Sequence, residues 1–341
     1  VGDHTKDKTR IGVLIEILFT ATKLGLTSFG GPVAHLAYFK DEYIDRKKWL
    51  TDKMYADLIA LCQFLPGPAS SQVGISIGIL RGGLLGGIVS FIGFTLPSII
   101  VLVIFALLYQ SFSLEGAIFI QSLKVVAVSV VLHALIGLGK KLTPDKSRLA
   151  IALVSAIVLL LYPSAWMQIL IIVLAGLFGF RYFQNKAEVN IEQFSVNISK
   201  RMGITSLVIL ISLLIVLPIL NNTFNNALLN IFDVFFRVGS LVFGGGHVVL
   251  PMIERELVPL GLLSSGEFLA GYGMAQAVPG PLFTFASYLG TMIEGLSGAV
   301  IATIAIFLPS FFLIIAALPF LSEFRQKTSF QGVLVGVNAS V

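Results

Sequence analysis

The sequence predicts an all-α polytopic membrane protein made of two inverted-topology repeats, each with two re-entrant broken-helix hairpins plus full spans. Three observations predict it. The chain of 341 residues is 56% hydrophobic and only 12% charged, with a mean hydropathy of +0.93. A soluble domain carries roughly 25% charged residues, so lipid is the expected solvent for the long apolar runs. The basic residues sit in short clusters between those runs, as charges flanking membrane spans do. That pattern assigns the net charge of +5 to topology, and no nucleic-acid partner is expected. Finally, one set of motifs occurs twice in the same order.

Taken along the chain, a tail with Lys6, Lys8 and Arg10 leads into an apolar run over residues 11–29, which breaks at Gly30-Gly31-Pro32. A basic segment follows with Lys40, Arg46, Lys47, Lys48 and Lys53. The next run, 55–80, is interrupted by Pro66-Gly67-Pro68, and runs 82–109 and 116–139 are each long enough to span. Beyond a basic loop (Lys140, Lys141, Lys146, Arg148), two runs are split at Tyr162-Pro163-Ser164. Residues 181–201 are polar, 203–220 spans again, and 221–226 form an uncharged Asn-rich loop. No small-residue cleavage site follows the charged N-terminus, so no cleavable signal peptide is expected. The single cysteine, Cys62, excludes an internal disulfide or a cysteine cluster. His4, His35, His133 and His247 have no pairwise spacing suited to haem or zinc. No metal or cofactor is expected.

The repeat is read from fixed offsets. Phe29-Gly30-Gly31 aligns with Phe243-Gly244-Gly245 at 214, and the same offset brings Lys23 onto Arg237 and Gly25 onto Gly239. Gln63 and Pro66-Gly67-Pro68 align with Gln276 and Pro279-Gly280-Pro281 at 213, and Leu96-Pro97-Ser98 with Leu308-Pro309-Ser310 at 212. Internal repeats of this kind are a common transporter architecture. Residues 1–140 are repeat one, 141–225 connecting transmembrane helices with a cytoplasmic linker, and 226–341 repeat two. The second repeat stops at Val341, inside a helix matching 117–140, which predicts a truncated second half.

The positive-inside rule places 40–53, 140–148 and 181–201 in the cytoplasm and 221–226 outside. Five crossings then separate matching points of the copies, and an odd number inverts the second. The segment matching 40–53 is about 254–267; its one Lys or Arg is Arg255, as expected of an outer segment. With 1–10 and 40–53 both inside, 11–39 and 54–80 must enter the membrane and return. Their tips fall at the Gly-Gly and Pro-Gly-Pro breaks. Non-helical backbone at that depth is tolerated where it is buried in protein or lines a cavity.

Those breaks point to an anion site. Proline is favoured in the first turn of a helix, so Pro32, Pro68 and Pro281 suit helix restarts after breaks at Pro66-Gly67 and Pro279-Gly280. Each restart exposes backbone N–H groups and a positive helix end, from 33–35, 69–72, 247–249 and 282–285. Four such ends would bind an anion without a buried arginine. Gly30, Gly31, Gly244, Gly245 and Gly246 permit close backbone approach. Thr27, Ser28, Ser70, Ser71, Gln72 and Thr284 are candidate neutral donors, and His247 a helix-start residue. Lys23 and Arg237 lie one to two turns before the Gly-Gly breaks, where a cation in a membrane segment is a functional candidate. Their bland reading is snorkelling, or pairing with Glu16 or Asp233. The bland reading of the breaks is kinking or close packing. His35 and His133 read as structural, and Glu254, Arg255 and Glu256 as a solvated face.

Leu26-Thr27-Ser28-Phe29-Gly30-Gly31-Pro32, Gln63-Phe64-Leu65-Pro66-Gly67-Pro68, Phe243-Gly244-Gly245-Gly246 and Gln276-Ala277-Val278-Pro279-Gly280-Pro281 resemble the paired signatures of the chromate ion transporter family, often called ChrA. The resemblance covers nearly all of both copies. It implies a multi-pass protein of a bacterial-type inner membrane that exports chromate and confers chromate resistance, with sulfate as the look-alike substrate. Importing or exchanging sulfate, an anion channel and a membrane chromate reductase are the rivals. The reductase is the weakest, because the sequence shows no ligand set for flavin, haem or an iron–sulfur cluster. The sequence leaves a homodimer open.

Overall fold

A computed structural model describes residues 9–112, 121–122, 125, 129, 143, 145–162, 165–183, 198–224, 226–242, 246–321, 332–333, 336 and 339–340. Most of the predicted span 117–140, with His133, and the linker 184–197 lie outside these residues, as do Arg325 and Lys327. Among the described residues the regular structure is entirely helical.

Helix α1 (Arg10–Thr27) starts on Thr9, whose hydroxyl accepts from the Gly12 amide at 3.3 Å, and ends at Ser28. The chain reverses through Gly30 and Gly31, at φ 93° and 80°, a region open to glycine at little cost. Pro32 then occupies the first turn of α2 (Gly31–Phe39), which runs into a π-helical turn, Lys40–Arg46. Lys23 pairs with Glu42 at 2.5 Å, and Glu16 with Lys47 at 3.3 Å. As one partner advances from 42 to 47, the other recedes from 23 to 16. The chain after the Gly-Gly break therefore runs back along α1.

Helix α3 (Asp52–Phe64) is capped by Thr51 and ends before Pro66-Gly67-Pro68, after which α4 (Ala69–Phe112) begins. Helix α4 is long and apolar, but it is not one rod. Gly83 breaks it at φ 67°, ψ −164°. The Ser90 hydroxyl donates to the Gly74 carbonyl at 2.8 Å, and a Cβ on Gly78 would collide with the Gly86 backbone. Residues 69–82 and 84–112 are thus antiparallel arms packed on glycine. The sequence expectation of a run ending at 80 and a new span from 82 agrees with this break.

Helices α5 (Lys146–Leu161) and α6 (Ala165–Tyr182) follow, separated where Tyr162-Pro163-Ser164 predicted. Helix α7 (Lys200–Phe224) corrects one expectation. Asn221 to Phe224 are helical rather than loop. The Asn221 side chain donates to Asn230 Oδ1 at 3.0 Å, and Asn226 caps the next helix by accepting from the Leu229 amide at 3.1 Å. The asparagines thus tie and cap two helices.

Helix α8 (Ala227–Leu241), α9 (Gly246–Leu257), α10 (Ser265–Ala277), a 3-10 turn (Leu282–Thr284) and α11 (Phe285–Ala317) complete the order, before a last 3-10 turn at Leu318–Phe320. A capping box of Ser264 and Glu267 starts α10. Helix α11 is broken at Glu294 and Gly295, the latter at φ 60°. A Cβ on Gly290 would collide with Gly298, so α11 folds back as α4 does.

Among the described residues, three stretches are long and apolar enough to cross a membrane: Ala69–Phe112, Lys200–Phe224 and Leu282–Phe320. Large aliphatic side chains stay exposed along them, Ile100, Ile104 and Leu108 on α4 and Val208, Ile211 and Ile215 on α7. An apolar surface of this extent is suited to lipid.

The contacts define two compact units, 1–128 with 195–319, and 129–194 with 320–341. In the first, α1 packs on α4, α8 on α11, and α4 on α11. The approach is close because Gly25 lies against the Gly93 and Phe94 carbonyls and Gly239 against the Ile306 backbone. In the second, Gly179 of α6 meets the backbone of Gly332 and Gly336.

Candidate functional site at the helix breaks

The two Pro-Gly-Pro breaks are bonded crosswise. The Gly67 amide donates to the Val242 carbonyl at 2.6 Å, and the Gly280 amide donates to the Ser28 carbonyl at 2.9 Å. Val242 stands at the position of Ser28 by the 214 offset, and Gly280 at the position of Gly67 by 213. Each Pro-Gly-Pro loop is therefore bonded to the residue that ends the first helix of the other copy. Both glycines need positive φ, 111° and 106°. A Cβ on Gly67 would stand 2.9 Å from Gln72 Nε2 and Ser310 Oγ; one on Gly280 would stand 2.9 Å from Ser98 Oγ. Ser98 and Ser310 are themselves matched.

The predicted donors divide sharply. Ser28, Ser70, Ser71, Gln72 and Thr284 are all buried. Thr27 is exposed and its hydroxyl bonds the Lys23 carbonyl at 2.8 Å. Phe29 and Gln63 are exposed, and Gln276 donates to the Tyr272 hydroxyl at 2.6 Å. Phe243, Gly244 and Gly245 lie outside the described residues. Gly246 and His247 open α9 as predicted, but their side chains lie outside the described set.

Among the described residues, the buried polar atoms without a hydrogen-bond partner in the protein include Ser28 Oγ, His35 Nε2, Ser71 Oγ and Gln72 Oε1, close in sequence to the first copy's breaks. Leaving a buried polar group unpaired costs about 1–3 kcal/mol, so these atoms are candidate contacts for a polar guest. They belong to connected segments. Ser28 bonds Gly280, whose Cβ direction faces the Phe94 carbonyl at 3.5 Å. The Phe94 ring meets the His35 ring edge-on at 5.6 Å, and His35 Nδ1 lies 3.2 Å from Ser70 Oγ. Ser71 and Gln72 come next on α4. Gln72 Nε2 donates to the Pro66 carbonyl at 2.6 Å. That carbonyl can only accept, which fixes the amide orientation.

At the matched positions of the second copy stand Val242, Val249, Thr284 and Phe285. The Thr284 hydroxyl is taken up by the Pro281 carbonyl at 2.7 Å. Among the described residues around the breaks, the unpaired polar atoms therefore belong to the first copy.

The two candidate cations are both paired. Lys23 meets Glu42, which also takes Arg46 at 2.8 Å. Arg237 meets Glu256 through two bonds, 3.0 and 3.2 Å, and Asp233 at 3.3 Å. Glu16 is not the partner of Lys23: it pairs with Lys47 and with buried Arg81, whose guanidinium lies 4.7 Å from the Trp49 ring centre. Glu256 is not simply a solvated face, and Glu42 joins Glu16, Asp57 and Asp233 among the carboxylates drawn inward. Sequence reading named Asp233, which does pair with Arg237, but missed Glu42 and Glu256, yet the signal was present. Glu42 and Glu256 are separated by 214, the offset that relates Lys23 to Arg237. The sequence reads His35 as structural; its burial with an unpaired ring nitrogen has no one-dimensional signature.

Long apolar helices, breaks lined with glycine and proline, and exposed aliphatic faces define an integral membrane protein. The chain belongs to the chromate transporter family, whose model matches residues 15–180 and 229–341. It is 27% identical over 299 residues to a chromate transport protein of Pseudomonas aeruginosa, covering 85% of this chain and 69% of that one. It is 26% identical over 336 residues to a chromate transport protein of Cupriavidus metallidurans, covering 96% and 79%. An uncharacterized transporter of Methanocaldococcus jannaschii is 26% identical over 326 residues, covering 94% and 79%. No solved structure matches the chain.

Proposed function

We propose that the protein is a secondary transporter that exports chromate across a bacterial-type inner membrane and so confers chromate resistance. The observation that carries this reading is the crossed pair of bonds, Gly67 to Val242 and Gly280 to Ser28, beside a cluster of unpaired buried donors. Family membership and the named relatives support chromate as substrate. The scaffold is two inverted repeats with re-entrant hairpins. The antiparallel return of α2 along α1 and the fold-backs at Gly83 and Gly295 favour that topology. The tips meet near the midplane, where non-helical backbone is admissible because protein surrounds it. Helix starts at Gly31, Ala69 and Gly246, and the 3-10 turn at Leu282, turn N–H groups toward an anion. Lys23 and Arg237 tie each hairpin together through Glu42 and Glu256 and leave the tips free of a full buried charge.

Export needs no ATP. One elementary charge across 100 mV is worth about 2.3 kcal/mol, so a dianion leaving a negative interior gains roughly 4.6 kcal/mol. At 1.4 kcal/mol per tenfold, that sustains a gradient above about a thousandfold. The test is chromate flux in proteoliposomes under a potassium diffusion potential at equal pH. Efflux accelerates when the donor side is made negative, and chromate on the far side stimulates exchange. Flux that ignores the potential would defeat electrogenic export. Flux insensitive to substrate on the far side would indicate a channel.

A further inference from the structure

We propose that His35 is a substrate ligand: its Nε2, with the hydroxyls of Ser28 and Ser71, donates to the oxygens of a tetrahedral oxyanion at the first repeat's tips. The inference rests on the oxyanion-transport reading and names the residues that do the binding, among them one that sequence reading sets aside as structural.

The geometry of the ring carries it. His35 is 1% exposed and lies in the first turns of α2, directly after the Gly-Gly break. Its Nδ1 lies 3.2 Å from Ser70 Oγ, and Phe94 packs edge-on against it with an interplanar angle of 88°. A ring held at one nitrogen and packed on its side has the other nitrogen fixed in space. When Ser70 gives its hydroxyl proton to Nδ1, the imidazole carries its proton on Nε2, which is then a donor. That atom has no protein partner in hydrogen-bonding geometry. The Ser28 backbone also faces the ring; its carbonyl accepts from the Gly280 amide with one of its two lone pairs, and His35 Nε2 is not in strict hydrogen-bonding geometry with it. A histidine that served packing alone would have little reason to leave a buried ring nitrogen unpaired, in a segment bonded to Ser70, the neighbour of the unpaired Ser71.

The chemistry fits a proton-free oxyanion. Three neutral donors beside the starts of α2 and α4 supply directed N–H and O–H groups without importing a cation. The cations closest in sequence to the breaks, Lys23 and Arg237, already hold carboxylates. Gln72 Oε1 can only accept, so it is not a ligand; its amide positions the loop through Pro66. The second copy has Val249 at the position of His35 and Val242 at that of Ser28, so the anion sits off the pseudo-symmetry centre, on the first repeat.

The experiment is initial-rate transport by the purified full chain in proteoliposomes, with chromate and, separately, sulfate and molybdate as probes. His35→Phe, Ser28→Ala and Ser71→Ala should each raise the KM of the transported anion by about tenfold or more. The maximal rate should stay within about threefold. His35→Gln and Ser71→Thr, which keep a donor, should recover most of the loss. Wild-type KM in folded His35→Phe overturns the role of His35. If that variant does not fold, wild-type KM in both serine variants overturns the donor set. A wild-type protein that moves none of the three anions defeats the transport reading itself, and this proposal with it.

Discussion

The two copies share a skeleton and differ in chemistry. Both have a first helix closed by a Gly-rich break, a Pro-Gly-Pro loop at positive φ, a fold-back at glycine (Gly83, Gly295) and a cation paired to a carboxylate nineteen residues on. Yet the first copy places Ser28, His35, Ser71 and Gln72 where the second has Val242, Val249, Thr284 and Phe285. The backbone demands are met twice because each copy ends and restarts helices at its glycine and proline breaks. The side-chain demands are met once. On the proposed reading a single small anion needs one set of donors; Val242, Val249 and Phe285 offer no side-chain donor, and the Thr284 hydroxyl is taken up by Pro281.

The sharpest way to break this comparison is topological, because the outcome is all or none. On a background without Cys62, a cysteine at position 47 should be labelled from the cytoplasm alone, and one at Leu260 from the outside alone. Labelling of both from one face would mean parallel copies.

Next in size come the crossing glycines. Gly67→Ala and Gly280→Ala force a side chain into positive φ, which costs about 1–2 kcal/mol, and into atoms 2.9 Å away. Each should cut transport by more than tenfold in proteoliposomes. Gly261→Ala also meets a positive φ, 69°, but open space, and should cut transport less than threefold. Equal losses at all three would mean that backbone strain alone matters.

Arg237→Ala strands two carboxylates and should lower folded yield and transport several-fold, more than Lys23→Ala. The charge swap of Lys23→Glu with Glu42→Lys should restore much of what either change loses alone. Failure of the swap, with normal folding, would return Lys23 to the role of direct anion ligand. The smallest effect is expected at Thr284→Ala. Its hydroxyl serves the Pro281 carbonyl, so chromate KM should change less than about threefold, against about tenfold at Ser71, its counterpart. A larger change at Thr284 would make the site symmetric.

Much of the skeleton was legible in the sequence because glycine and proline report backbone geometry directly. Gly30, Gly67 and Gly280 fall at breaks that only permissive residues can make, and fixed offsets carried the match from one copy to the other. The same offset would have found Glu256 from Glu42. The Asn-rich stretch misled, because its polarity reads as loop, whereas Asn221 and Asn226 tie and cap two helices. Which donors are left unpaired was not legible. Ser70 and Ser71 are neighbours of one type, and only the packing of His35 and Phe94 separates the occupied hydroxyl from the free one.

The central claim is an oxyanion held by the first copy at the crossing of the breaks. The most direct measurement is the position of chromium in a chromate-bound structure, located by its anomalous scattering. The account predicts one peak within hydrogen-bonding reach of Ser28, His35 and Ser71. A peak at the basic segment around Lys40 and Lys48, with none between the breaks, would contradict it.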